Sequence, residues 1–419
     1  MLQGTPDPST SGSGAARPYL VAAVKASVWI RGERRRRVGQ PVTRSLCAGV
    51  AGELLFFAEL HGSTGDEEAR GEVRAIADDL AAHFTKEAEP GLYTGLAGQA
   101  FALAMAWRVT ADPRDRDAAV AAFDHLVRCA KPEGQGVVWN NVTDVFSGSA
   151  GIGLALLWAA RALDRPALVE SARGVGDRLL EVARPREGGL SWDLAPGFPN
   201  YMPNFSHGTA GVAFFLARLH EATGEARYLK AAKRGAAHLM EIGNLDGLVY
   251  HHAPGGTELY YLGWCHGPAG TSRLFVALSQ GRGESRYGVW LARGVDILLR
   301  LLSGGLPERR MHGFWNNRGL CCGDASLVSW LIDLHHLERA PEQLAAARKL
   351  ADHLLARAEP DGDGFKWTFA EYRDLPGRLE AQTCLMQGAA GIGLALLWLD
   401  GLEQLRPAIV RMPDAPSQD

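Results

Sequence analysis

Three cysteines and a histidine stand at matching places beside short glycine turns. Cys265 lies two residues before Gly267, Cys321 and Cys322 directly precede Gly323, and His207 directly precedes Gly208. Thiolate and imidazole are the ligands zinc prefers, and three protein ligands leave a fourth tetrahedral position open to water or substrate. A histidine beside a cationic metal can give or take a proton near neutral pH, and a carboxylate such as Asp144, just before Gly148, can orient it. His266, next to Cys265, is a further proton carrier or outer-shell group. Other roles fit the same residues: buried free thiols, a vicinal Cys321–Cys322 disulfide, a structural histidine, a capping aspartate. Cys47, Cys129 and Cys384 are expected to pack in the interior, and His251 and His252 to be loop residues without a role.

What would bring these residues together is a repeat. A Gly-x-Ala-Gly turn, or a one-residue variant, recurs at Gly49, Gly95, Gly148, Gly208, Gly267, Gly323 and Gly388, each opening an apolar segment. One such turn is background among 50 glycines, but seven at spacings of roughly 45 to 65 residues mark a repeat architecture. The segments after the turns, such as Ile152 to Ala159 and Val212 to Leu219, are apolar nearly all round, as helices buried on every side must be. Between them, Asp115 to Ala130, Arg165 to Ala183, Arg227 to Ile242, Val289 to Leu302 and Pro341 to Ala358 are amphipathic with three- and four-residue spacing. Alternating buried and amphipathic helices satisfy every apolar face if the first set closes on itself and the second wraps it. The predicted fold is all-α, an α/α toroid of seven inner and seven outer helices. Long loops rich in aromatic and polar residues enter the inner helices and should share one rim, where helix N-termini favour negative charge.

Composition narrows the partners. With 44 basic and 47 acidic residues and a net charge of -3, no global field draws nucleic acid or an anionic membrane. The cluster Arg31 and Arg34 to Arg37 is read as the solvated face of a first helix, with an acidic peptide as the alternative partner. Residues 1–17 have the composition of a disordered arm, 18–405 should form one domain, and 406–419 a flexible tail. No segment approaches the roughly 18 uninterrupted apolar residues of a membrane span, and no secretory signal is legible. Six cysteines in such a chain suggest reduced thiols and a cytoplasmic location.

The seven turns, with the WCHG at Trp264 to Gly267 and the CCG at Cys321 to Gly323, resemble the LanC-like family, the lanthionine synthetase C-like cyclases, from about residue 45 to 400. The resemblance implies an α/α toroid holding one zinc by two cysteines and a histidine. The cysteines fall on Cys265 and Cys321, and the histidine position on Cys322, as in the three-cysteine variant of some cyclases. The family's catalytic histidine falls on His207 and its aspartate on Asp144, whereas an arginine that some members carry four residues before the first zinc cysteine is Tyr261. The implied reaction is Michael addition of a peptide cysteine to dehydroalanine or dehydrobutyrine, forming a lanthionine or methyllanthionine thioether. Nothing in the chain resembles a kinase or dehydratase module, so the dehydrated precursor peptide would come from separate enzymes. The alternatives are a prenyltransferase-like zinc-thiolate enzyme, a toroid glycosidase using Asp144, Asp193, Glu258 or Asp324, and a non-catalytic peptide-binding protein.

Overall fold

The computed structural model describes residues 17–279, 285–304 and 313–416. Fourteen α-helices lie among them. In chain order they are α1 (Pro18–Arg36), α2 (Val50–Thr64), α3 (Glu67–His83), α4 (Leu96–Thr110), α5 (Pro113–Arg128), α6 (Ser149–Ala162) and α7 (Leu168–Glu181). They continue as α8 (Thr209–Thr223), α9 (Ala226–Ile242), α10 (Pro268–Ser279), α11 (Ser285–Gly304), α12 (Asp324–Glu338), α13 (Pro341–Ala356) and α14 (Ala389–Glu403). The even-numbered helices contact one another in sequence, and α14 returns to contact α2, which closes the inner ring. Odd-numbered helices pack outside, α1 covering α14 and so completing the outer layer. The α/α toroid expected from the repeat is the observed fold.

Local chemistry explains the elements. Inner helices such as α6 and α14 bury residues on every face, whereas α7 and α9 bury one stripe. Asp66 and Asp112 cap α3 and α5 by accepting the backbone N–H of Glu68 and Arg114, each at 2.9 Å. Left-handed Gly65 and Gly224 end α2 and α8. The turn glycines are needed for close approach: a Cβ on Gly208 would run into the carbonyl of Met202, and one on Gly211 into that of Phe205. Three short antiparallel hairpins, which periodicity had not predicted, follow α5, α7 and α13. Each ends in a tryptophan, Trp139, Trp192 or Trp367, whose indole N–H donates to a carbonyl in the last turn of the preceding helix at 2.6, 2.7 and 2.8 Å. Helix ends leave such carbonyls without partners, so the tryptophans repeat a C-terminal cap.

The residues two places before each turn glycine form a closed circuit. Cys47 N donates to Tyr93 O, Tyr93 N to Phe146 O, Phe146 N to Ser206 O, Ser206 N to Cys265 O, Cys265 N to Cys321 O, Cys321 N to Met386 O, and Met386 N to Cys47 O, all between 2.9 and 3.1 Å. One backbone hydrogen bond thus joins every inner-helix entrance to the next and returns to its start.

The ends of the domain differ from expectation. Residues 1–16 of the expected arm lie outside the described residues, but Arg17 is paired with the buried Asp400 of α14. The segment expected as a flexible tail is packed as far as Pro416. Arg406 pairs with Glu59 at 2.8 Å, the N–H groups of Ile409 and Val410 donate to Glu59 at 2.8 and 2.9 Å, and Val410 and Met412 are buried. Asp414 is buried and accepts from the Tyr93 hydroxyl at 3.1 Å and the Trp264 indole at 2.8 Å. Its short polar composition hid this, because the partners lie in other repeats. The basic cluster is also only partly solvated: Arg31 is buried against Asp66 at 3.0 Å, and Arg34 bridges Glu53 and Glu72 at 3.0 and 3.1 Å, while Arg35 to Arg37 are exposed.

Asp414→Ala strands two buried donors, so denaturant unfolding should show a loss of about 2–4 kcal/mol; an unchanged midpoint would show that the tail does not brace the ring. Burial near the same segment raises the Asp333 carboxyl to about 6. Folding then favours its protonated form, a contribution present below about pH 4 and lost as pH rises through about 6. Asp333→Asn should therefore raise the melting temperature at pH 7.5 more than at pH 4, and equal shifts at both pH values would refute this.

Candidate metal centre

The hydrogen-bonded circuit makes Cys265 and Cys321 neighbours although 56 residues separate them in sequence numbering, since Cys265 N donates to Cys321 O at 3.1 Å. Cys322 follows directly and turns its sulfur to the same point. The Cys265 and Cys322 sulfurs lie 3.1 Å apart and those of Cys321 and Cys322 3.2 Å apart, and all three fall within 4.8 Å of one another. All are free thiols, so Cys321 and Cys322 do not form the alternative vicinal disulfide. The Gln387 amide N–H lies 3.6 Å from the Cys322 sulfur.

Burial pushes the Cys265 thiol well above its ordinary range. Cys321 is also pushed up, first by its hydrogen bonds to Cys265 and Cys322 and then by burial. Hydrogen bonds with Cys265 and Cys321 hold the Cys322 thiol well below the usual range. Three convergent sulfurs at the entrances of α10 and α12, with Cys265 and Cys322 buried and Cys321 partly exposed, can hold a metal ion. Their thiolate donor set fits a soft, tetrahedral cation such as zinc.

Beside the sulfurs lies the predicted carboxylate–imidazole pair. His207 Nδ1 is 2.6 Å from the Asp144 carboxylate, which is completely buried and accepts the Ser147 N–H at 2.8 Å. Asp144 is thereby both a turn-capping group and the orienting partner of His207, so the two roles considered from sequence coexist. The Phe146 and His207 rings meet edge-on at 5.2 Å between centroids, and the His266 ring lies 5.6 Å from that of His207.

His266 is buried with neither ring nitrogen partnered. Burial, reinforced by His251, His207 and His252, holds its pKa well below the ordinary value, so the ring is neutral. His251 stacks on it at 3.9 Å and approaches His252 at 2.9 Å between Nδ1 atoms. His251 and His252, expected to be loop residues without a role, fold back with their loop over the site. Only the doubled histidine in YHHAPGG could have signalled this. Tyr261, at the position where some relatives carry arginine, interacts instead with the Arg373 side chain from the loop after Thr368–Ala370.

Other candidates do not join the cluster. Closure of the ring puts Cys47 of the first repeat next to Met386 of the last. Burial raises the Cys47 and Cys384 thiols to about 12 and about 11, while Cys129 is exposed rather than packed. The proposed glycosidase carboxylates have separate surroundings: Asp193 pairs with Arg184, Asp324 with His353, and Glu258 is exposed.

Comparisons with known proteins bear on the family and the fold. The family description "Lanthionine synthetase C-like protein" matches residues 40–410. Nisin cyclase is a structural neighbour with a TM-score of 0.66 and 16% identity, covering 93% of this chain and 96% of its own. Cellobiose 2-epimerase from Bacillus thermoamylovorans aligns at a TM-score of 0.50 and 12% identity, over 74% of this chain and 87% of its own. At these identities both neighbours speak to the fold alone. No curated protein matches in sequence. The match across most of the chain shows that this protein belongs to the lanthionine synthetase C-like family.

Proposed function

We propose that the protein is a zinc-dependent lanthipeptide cyclase, acting on a dehydrated precursor peptide supplied by separate dehydratase enzymes in the cytoplasm. The observation that carries this is the meeting of three thiols with an Asp144–His207 pair at one mouth of the toroid. Family membership and the nisin cyclase fold support it. Among the described residues no helix is long and apolar enough to cross a membrane, and the exposed Phe198, Tyr372 and Leu375 on the rim loops offer apolar surface to a peptide.

Cys265, Cys321 and Cys322 would hold the zinc. When bound, zinc would keep the peptide cysteine as a thiolate at neutral pH. The sulfur adds to the β-carbon of the dehydro residue, and the alkene electrons move onto the neighbouring carbonyl oxygen. A proton must then reach the α-carbon. With Asp144 accepting from Nδ1 and fixing the ring orientation, His207 Nε2 is left to take the proton that the peptide thiol loses and, as an imidazolium held against that carboxylate, to return it to the α-carbon. His266, neutral and with both nitrogens unpartnered, is the second group able to pass a proton at this mouth. The stacked His251 and Tyr261 narrow the site around it, limiting water at the reacting carbon.

Elemental mass spectrometry of purified protein should find one zinc per chain, lost in a Cys321→Ala, Cys322→Ala double variant. Metal retained in that variant would remove the site assignment, and zinc without ring closure on any dehydrated peptide would favour a non-catalytic peptide-binding protein. His207→Ala should keep its zinc while slowing ring closure about 10²- to 10⁴-fold, as followed by mass spectrometry of thiol-alkylated products. Ring closure at the wild-type rate would exclude His207 as the acid.

A further inference from the structure

The sixth repeat departs from the others at one residue beside the thiols. The third residue after the turn glycine is Gly52, Gly98, Gly151, Gly211, Gly270 and Gly391 in six repeats, and Ser326 in the sixth. At all six glycines a Cβ would run into the carbonyl oxygen of the residue six places earlier. A side chain at this place is found only where the fifth and sixth turns, which carry the three thiols, meet. Ser326 is 3% exposed, and its hydroxyl joins those two turns. The Trp264 backbone N–H donates to Ser326 Oγ at 3.2 Å, and the Ser326 hydroxyl donates to the Gly323 carbonyl at 2.7 Å. Trp264 directly precedes Cys265, and Gly323 directly follows Cys322. One hydroxyl therefore bridges the residue before the first thiol and the residue after the last.

The backbone circuit already ties the same turns, from Cys265 N to Cys321 O at 3.1 Å. A single hydrogen bond leaves two turns free to pivot about it, whereas two bonds from successive N–H groups fix their relative angle. Two further contacts stiffen the joint. Trp264 is held at its other end, where the indole N–H donates to Asp414 at 2.8 Å. Gly263 lies so close to the sixth turn that a Cβ would strike Cys322 Cα and the Cys321 carbonyl. The Cys265 and Cys322 sulfurs, 3.1 Å apart, converge across this joint. Metal–ligand distances vary by only about 0.2 Å, so the angle between the turns bears directly on how well three sulfurs can share one ion. Groups that orient ligands in this way commonly govern metal affinity.

We propose that Ser326 is a positioning residue of the metal centre, whose hydroxyl sets the angle between the turn of Cys265 and the turn of Cys321 and Cys322 and thereby the affinity and geometry of the bound ion. The proposal rests on the reading of the three thiols as metal ligands and on no step of the cyclisation. It is tested on the full chain by two measurements. Cobalt(II) exchanged for zinc reports geometry through its visible absorption, and titration of the zinc-loaded chain with a chromophoric chelator reports affinity. Wild type should show sulfur-to-cobalt charge transfer and the intense bands of a tetrahedral site. Ser326→Ala, which keeps the Cβ and leaves the Trp264 N–H without its acceptor, should weaken those bands and lower zinc affinity about 10- to 100-fold. Ser326→Gly, which introduces the residue of the other repeats, should do the same. Leu350→Ala, a truncation on the buried face of α13, should leave both readouts unchanged and so separates positioning from general loss of stability.

Wild-type bands and affinity in both Ser326→Ala and Ser326→Gly, or an equal loss in Leu350→Ala, overturn the proposal while leaving the thiol site in place. A wild-type chain that takes up no cobalt removes the metal centre itself, and the proposal with it. If circular dichroism shows that Ser326→Ala does not fold, Ser326→Gly carries the comparison. Neither measurement uses a peptide, so a failure of ring closure removes the cyclase reading without changing these outcomes.

Discussion

A single circuit of seven backbone hydrogen bonds, one per repeat, organises this protein. Each bond runs from the residue two places before a turn glycine to its counterpart in the next repeat, and the last returns to Cys47. Because the circuit is closed, no entrance can move along the axis without stretching bonds on both sides. The glycines at the turns permit it, since side chains there would strike the backbone of the incoming loop. The buried inner helices then follow from their apolar composition, and the amphipathic outer helices cover them.

The same circuit creates the chemical site. Two cysteines at equivalent positions of adjacent repeats are held by a direct backbone bond, and the next residue of the sixth repeat adds the third sulfur. One repeat earlier, Ser206 is bonded to Cys265, which sets His207 beside His266 at the mouth. One repeat before that, Phe146 is bonded to Ser206, and Asp144 two residues earlier meets His207. Four successive repeats therefore deliver three thiols, an imidazole and its carboxylate partner to one place. Their inner helices all begin at this rim, so the positive ends of the helix dipoles favour thiolate there.

The C-terminal segment acts on this arrangement from within. Asp414 joins Tyr93, a member of the circuit, to Trp264, the residue before Cys265, and Arg273 donates to the Asp414 backbone carbonyl. A charged group with several hydrogen bonds is stable in such surroundings only while its partners remain in place. The segment that looked least structured by composition is thus tied to the residue next to Cys265.

From sequence alone, the repeat period, the alternation of buried and amphipathic helices, and the position of Cys265, Cys321, Cys322, His207 and Asp144 beside the turns were legible. All depend on local spacing and side-chain chemistry, which each repeat displays by itself. The capping hairpins with Trp139, Trp192 and Trp367, the return of His251 over His266, the nearness of Cys47 to Met386, and the Asp324–His353 pair were not legible. Nor was the packing of residues 406–416 against the toroid. Each joins groups from different repeats or from loops without periodicity, and linear order does not encode such distances. Only closure of the toroid, which makes the first repeat the neighbour of the last and folds the loops inward over the rim, decides them.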